Sequence, residues 1–408
     1  MATLRIRLSL LLTYFVFAIL LNSVGTVILQ VIHTYQISKE AASVLEGFKD
    51  IPIAVVSFII ASYLPRLGYK TALQIALVLV TLACVMMPLI PAFWTTKLLF
   101  LTVGASFALV KVSVYASIGV VTNTKAEHAS LLNFIEGGFM LGVLSGYWLF
   151  SAFMDPAAPQ ASGWLQVYWL LALLCLANLA LLSSTPFPKL ELPPAQPLKQ
   201  DFIAMLQLVY KPLVFVFVLS AFLYVLIEQG IGSWLPTFNN EVLKLPNQLS
   251  VQLTSIFAAS LALGRILAGV VLKKLSWYVL LNSCLLAMAL LILLTLPLTR
   301  DIQHNAGVGL FTAPLAAYLF PLIGLFMAPI YPVINSVILS ALPKARHAAM
   351  TGLIVVFSAL GGTTGSMVTG YTFANFDGQT AFYLCLLPLS LLLLSVGLFH
   401  RQSKQVVA

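Results

Sequence analysis

The sequence predicts an all-α membrane protein of twelve transmembrane helices in two pseudo-symmetric six-helix bundles, and three observations lead there. Twelve apolar stretches of spanning length follow one another, six on each side of a polar segment at Pro186–Asp201. A hydrocarbon core of roughly 30 Å needs about 20 apolar helical residues per crossing, and only helices or closed barrels satisfy their backbone in it. Composition agrees. The 408 residues are 61% hydrophobic and only 8% charged, with mean hydropathy +1.02, whereas a soluble domain carries about 25% charge. Finally, the halves repeat: Lys125-Ala-Glu-His128-Ala129 opens the fifth span and Lys344-Ala-Arg-His347-Ala348 the eleventh. At the same offset Gly142 matches Gly361 and Gly146 matches Gly365, which points to a duplicated six-helix unit.

Each span has its own justification. The first covers 8–32; Arg5 and Arg7 precede an apolar run that is too long, and lacks a small-residue cleavage pattern, for a signal peptide. The second covers 42–64 and must include Glu46, Lys49 and Asp50. Starting it at Ile51 would leave a helix of about 21 Å, too short to cross. The remaining spans of the first half are 71–91, 97–121, 127–152 and 164–185. Five prolines between Pro186 and Pro197 preclude a continuous helix there, so 186–208 is a linker between bundles at 1–185 and 209–408. The second half gives 209–232, 249–272, 277–298, 310–338, 347–372 and 380–400.

The net charge of +9 is distributed by topology, which argues against nucleic acid as a partner. Terminal tails and one set of loops hold thirteen cations: Arg5, Arg7, Arg66, Lys70, Lys125, Lys189, Lys199, Lys273, Lys274, Lys344, Arg346, Arg401 and Lys404. The opposite loops hold only Lys39, Lys97, Lys244 and Arg300. By the positive-inside rule both termini and the linker are cytoplasmic. Trp94, Trp148, Trp164, Trp169 and Trp234 fall at outer helix ends, where the headgroup layer suits an indole. Cys84, Cys175, Cys284 and Cys385 lie in four different spans without metal-ligand spacing and read as packing thiols.

Charge inside a membrane costs several kcal/mol on most scales, so each such residue is a functional candidate. Glu46, Lys49 and Asp50, at i, i+3 and i+4, share one face of the second span. Glu46–Lys49 can pair locally or form a solvated outer end, while Asp50, a turn deeper, is expected to face a cavity. Lys111, between Val110 and Val112, requires an anion: Asp50, Glu136 or the substrate. Glu136 precedes Gly137-Gly138, Glu228 lies in Ile227-Glu228-Gln229-Gly230, and Arg265 either serves the site or snorkels toward Lys273-Lys274. The glycines of the fifth and eleventh spans allow close packing, and some can also meet substrate. All five histidines fall in loops or helix ends, so any proton coupling falls to carboxylates. No nucleophile elbow, zincin pair, Cys-x-x-Cys or phosphate loop is present, so no enzyme, cofactor, metal site or ATP-driven transport is expected.

At these residues the chain resembles the major facilitator superfamily, and within it the fucose–proton symporter family. Ala61-Ser-Tyr-Leu-Pro65-Arg66-Leu67-Gly68-Tyr69-Lys70 is similar to the superfamily's loop after its second helix, keeping Arg66, Gly68 and Lys70 as a gating loop but carrying Pro65 for the acid. Phe326-Met327 with Tyr331-Pro332-x-Ile334-x-Ser336, Gly264-Arg265-x-x-x-Gly269 and Leu21-Asn22 resemble the fucose branch. That branch's coupling acid after the Asn is Ser23 here, and its fourth-helix Glu is Lys111, so fucose itself is not implied.

The expectation is a secondary active transporter of the bacterial inner membrane, working by alternating access and proton coupling on a small polar or anionic solute of sugar or sugar-acid type. Asn22, Lys111, Glu228, Arg265, Tyr331 and Asn335 would bind substrate, and Asp50 and Glu136 would couple protons. Its partners would be that solute, protons and lipid, and it would act as a monomer. The alternative is proton-driven efflux of drugs or metabolites, distinguished by the direction of accumulation under a pH gradient.

Overall fold

The computed structural model describes residues 2–122, 124–187, 198–300, 302, 303, 305, 307–343 and 346–407. Among these the regular structure is helical, with no strand. The first span is α1 (Ala2–Asn22) and α2 (Val24–Tyr35), interrupted at Ser23, whose hydroxyl donates back to the Leu20 carbonyl at 2.8 Å. There follow α3 (Lys39–Leu67), α4 (Tyr69–Leu89), α5 (Phe93–Val121), α6 (Lys125–Ser151) and, after a 3₁₀ turn at Ser162–Gln166, α7 (Val167–Ser183). Next come α8 (Leu198–Val209), then α9 (Pro212–Gly232) with α10 (Leu235–Glu241), α11 (Asn247–Val271) and α12 (Trp277–Thr295). The tenth span is α13 (Ala316–Leu319), α14 (Ile323–Met327) and α15 (Ile330–Ala341), and the chain closes with α16 (His347–Asn375), α17 (Gly378–Leu384) and α18 (Leu386–Val407).

Among the described residues, ten helical segments are long and apolar enough to cross a membrane. The 29-residue α3 and the 27-residue α6 are also longer than a crossing requires. Together they complete the twelve spans expected from the pattern.

Several details differ from the sequence expectation. Part of the expected linker, from Leu198, is helix α8, because the helix-breaking prolines end at Pro197. Residues 188–197, with Lys189, and residues 344–345 lie outside the described residues, as does the side chain of Arg66. The tenth span does not begin at 310: helix starts at Ala316 and is interrupted by a 3₁₀ turn at Phe320–Leu322, where Pro321 removes a backbone donor. Trp164 and Trp234 are not headgroup anchors, being 1% and 0% exposed. Trp164 packs edge-on against Tyr168, while Trp234 stacks on Phe373 at 5.3 Å and donates its indole N–H to Ser366 at 3.1 Å. Trp94, Trp148 and Trp169 are exposed.

The chain folds into two compact units, Met1–Val24 with Phe48–Gln200, and Gly25–Gly47 with Asp201–Ala408. In the first, α6 lies along α1. A Cβ at Gly142 would come within 2.6 Å of the Phe15 carbonyl oxygen, and one at Gly146 would sit 3.5 Å from Ile19. Gly104 brings α5 against the backbone of Lys49 in α3. Asn178 joins α7 to α1, accepting from Ser9 at 3.2 Å and donating to Thr13 at 2.7 Å.

In the second unit α16 crosses α9 in the same manner, Gly361 on the Phe222 carbonyl and Gly365 on the Leu226 carbonyl. Glycines paired by the sequence repeat thus make the corresponding helix contact in each unit, which is the small-residue packing their spacing suggested. The hairpin Gly25–Gly47 belongs to this unit. Gly25 abuts the backbone of Ser233, His33 Nε2 and Asn240 Oδ1 are 3.0 Å apart, and Lys39 Nζ meets Glu241 Oε2 at 2.6 Å.

Candidate functional site

Each unit carries a tyrosine–carboxylate–cation cluster on membrane-spanning helices. In the first, Phe107, Lys111 and Tyr115 recur every four residues of α5 and so line one stripe of that helix. The Tyr115 hydroxyl donates to Glu136 Oε1 of α6 at 2.6 Å. Lys111 lies on an exposed part of the stripe, close enough to Glu136 for the two charges to interact. Tyr14 of α1 forms the aromatic wall, its ring 6.0 Å from Phe107, 6.2 Å from Tyr115 and 5.5 Å from Phe139.

The second unit holds a counterpart. The Tyr224 hydroxyl donates to Glu228 Oε1 one turn on in α9, at 3.0 Å. Its ring stacks on Tyr331 of α15 with centroids 5.6 Å apart and planes at 24°. Tyr331 exchanges a hydrogen bond with Ser358 of α16 at 2.8 Å, and Asn335, one turn along, also acts on its hydroxyl. Glu228 and Arg265 both act electrostatically on the Tyr224 hydroxyl.

Chemically, both clusters pair a fixed phenol donor with a carboxylate that can accept a proton. Each cluster thus places a hydrogen-bonded carboxylate and a cation together within an otherwise apolar span, a costly arrangement in a membrane.

The other anticipated residues are placed as follows. Asp50 pairs with Lys49, Nζ to Oδ1 at 3.5 Å, and both are nearly buried. Glu46 is completely buried in the second unit and accepts from Ser233 Oγ at 2.8 Å. Asn22 donates to the Ala18 carbonyl of its own helix at 2.9 Å. At the loop between α3 and α4, Gly68 takes φ 81°, the left-handed region that glycine enters without steric cost. Lys70 does not extend freely from this loop: its ammonium donates to the Ser183 and Thr185 carbonyls at 3.0 and 2.8 Å, capping the C-terminal end of α7.

Sequence reasoning missed Tyr14, Tyr115 and Tyr224. A signal existed in two of them: Tyr115 follows Lys111 by four residues and Tyr224 precedes Glu228 by four, the spacing that puts side chains on one helix face. Tyr14 carries no such mark.

The chain belongs to the Major Facilitator Superfamily, whose family model matches residues 10–320. The superfamily consists of membrane transporters, and its twelve-helix, two-bundle fold is the one seen here. No curated protein matches the sequence. Among solved structures, a bacterial homologue of the human lysosomal transporter Spinster, inward-facing and unoccupied, is similar at 15% identity with TM-score 0.75, covering 100% of this chain and 98% of that one. The nucleoside transporter NupG is similar at 12% identity and TM-score 0.75, covering 98% and 99%. The E. coli fucose:proton symporter FucP, in a single-residue variant, is similar at 16% identity and TM-score 0.61, again covering 98% and 99%. At these identities the likeness is one of fold.

Proposed function

We propose that this transporter is a proton-coupled secondary carrier of a small polar or anionic solute, of sugar or sugar-acid type. Its bundles, 1–185 and 209–408, would be joined by a cytoplasmic linker at 186–208, with both termini in the cytoplasm of a bacterial cell. The supporting observation is the Lys111–Tyr115–Glu136 cluster beside the ring of Tyr14. A membrane protein retains an ammonium and a carboxylate at such a depth at substantial cost, and their proximity gives each a reason to be there.

In this mechanism Glu136 takes up the proton and Lys111, relieved of its counter-charge, receives the anionic group of the solute. The partly exposed ring of Phe107, backed by the buried Tyr14, suits the C–H face of a sugar ring. Glu228, Arg265, Tyr331 and Asn335 complete recognition in the other bundle, with Asn22 as a further neutral donor. Asp50, held by Lys49, is a second acid available to coupling, and Arg66, Gly68 and Lys70 form the gating turn. The solute shifts the balance of states by its different affinity for each.

A thermal-shift series over sugars and sugar acids identifies the solute, since a ligand stabilises the state it binds. Proteoliposome uptake then tests the roles. Glu136→Gln is expected to abolish pH-driven accumulation while sparing solute exchange at equal pH. Lys111→Ala is expected to raise KM at least tenfold. Wild-type uptake in both variants would remove the cluster from transport.

A further inference from the structure

We propose that the second unit binds the phosphate of an anionic lipid in a basic pocket at the start of α9. The pocket is a cavity of about 560 Å³ whose lining includes Lys211, Pro212, Leu213, Val214, Arg346 and Gln402. It contains two cations and no carboxylate. Neither cation has an ion-pair partner among the described residues. Lys211 is the N-cap of the 21-residue α9 and its side chain makes no capping hydrogen bond. The first helical position is Pro212, and the N–H groups of Leu213 and Val214 have no acceptor within the helix. Free donors and the positive end of the helix dipole therefore add to the two side-chain charges. Gln402 lines the same cavity, and its buried Oε1 has no hydrogen-bond partner among the described residues.

The neighbouring helix identifies the source of the phosphate. On α8 the side chains of Met205 and Leu208 are buried at 3% and 4% exposure, with Met205 Sδ 3.0 Å from where a Gly352 Cβ would lie. Ile203, Leu206 and Tyr210, at i, i+3 and i+7, are exposed at 44%, 45% and 88%. A surface helix that shows an apolar stripe outward, ending in a tyrosine, suits the headgroup–acyl boundary. Tyr210 immediately precedes Lys211, so the pocket opens where lipid phosphates lie.

The test uses the full-length protein in neutral detergent, with apparent melting temperature as readout. Phosphatidylglycerol is added against phosphatidylcholine of the same acyl chains and against inorganic phosphate. Phosphatidylglycerol is expected to stabilise the wild type, and Lys211→Gln/Arg346→Gln is expected to need roughly 30-fold more of it, about fivefold per cation. The exposed pair Lys273→Gln/Lys274→Gln, of equal charge change, serves as control and should respond as wild type. Each single pocket variant, with its smaller expected shift, replaces the double variant if that does not fold. An undiminished response in the pocket variants, or an equal loss in the control, overturns the proposal. So does stabilisation by inorganic phosphate to which the lipid adds nothing.

Discussion

Replacing Gly365 by alanine separates the repeat seen in the sequence from the packing seen in the structure. In an exposed helix interior, Gly→Ala is favourable by about 1 kcal/mol. At Gly365 the new Cβ would meet the Leu226 backbone, 2.8 Å from its carbonyl carbon and 2.9 Å from its Cα. Ordinary contact begins at 3.4 Å and the Leu226 carbonyl oxygen lies nearer still, so α16 and α9 must separate by more than about 0.6 Å. Backbone cannot rotate away as a side chain does, and overpacking of this kind costs about 1–3 kcal/mol. The net expectation for Gly365→Ala is a loss of up to about 2 kcal/mol. Its repeat partner Gly146 has Ile19 at 3.5 Å, so Gly146→Ala is expected to gain up to about 1 kcal/mol. Gly269, with nothing within 4 Å, gives the propensity effect alone. Apparent melting temperatures of the three purified variants should rank Gly269→Ala and Gly146→Ala at or above wild type and Gly365→Ala well below. A Gly365→Ala protein as stable as wild type, or a Gly146→Ala protein equally destabilised, would refute the close-crossing account.

Other outcomes follow from individual contacts. Lys70→Gln removes the ammonium from two carbonyls at the end of α7 and should cost about 1 kcal/mol, read as a lowered melting temperature. Ser233→Ala takes a donor from the wholly buried Glu46. A cost of about 2 kcal/mol is expected, and an unchanged melting temperature would deny that bond a stabilising role. Trp234→Phe keeps the ring on Phe373 but loses the bond to Ser366, for about 1 kcal/mol. The four buried cysteines should react with an aqueous maleimide only after unfolding, and rapid labelling of the native protein would contradict their placement.

The fold was legible because span length and apolarity are dictated by the bilayer, and because a duplicated half leaves matched glycines. Gly142 and Gly361 were paired from sequence and proved to serve the same helix contact. Interruptions of the spans were less visible. Ser23 and Ser233–Trp234 break their helices without a proline at the break; Pro236 enters only two residues later. Tryptophans were legible only in part, since position near a helix end does not distinguish Trp94, which is exposed, from Trp234, which a neighbouring helix covers. Charged candidates stood out by their rarity, and the structure groups Lys111 with Glu136 and Glu228 with Arg265. Their tyrosine partners did not stand out, because a phenol in an apolar run looks like packing until the acid beside it is located.

The compact units do not follow the chain in two consecutive pieces. The backbone passes from one to the other at Val24–Gly25, at Gly47–Phe48 and at Gln200–Asp201. Three covalent crossings exist where a simple tandem duplication would need one. Cutting the polypeptide at its proline-rich middle would therefore not liberate two intact modules: the downstream fragment would lack the 25–47 segment that Lys39, His33 and Gly25 anchor to it, and would have to recover it from its severed mate.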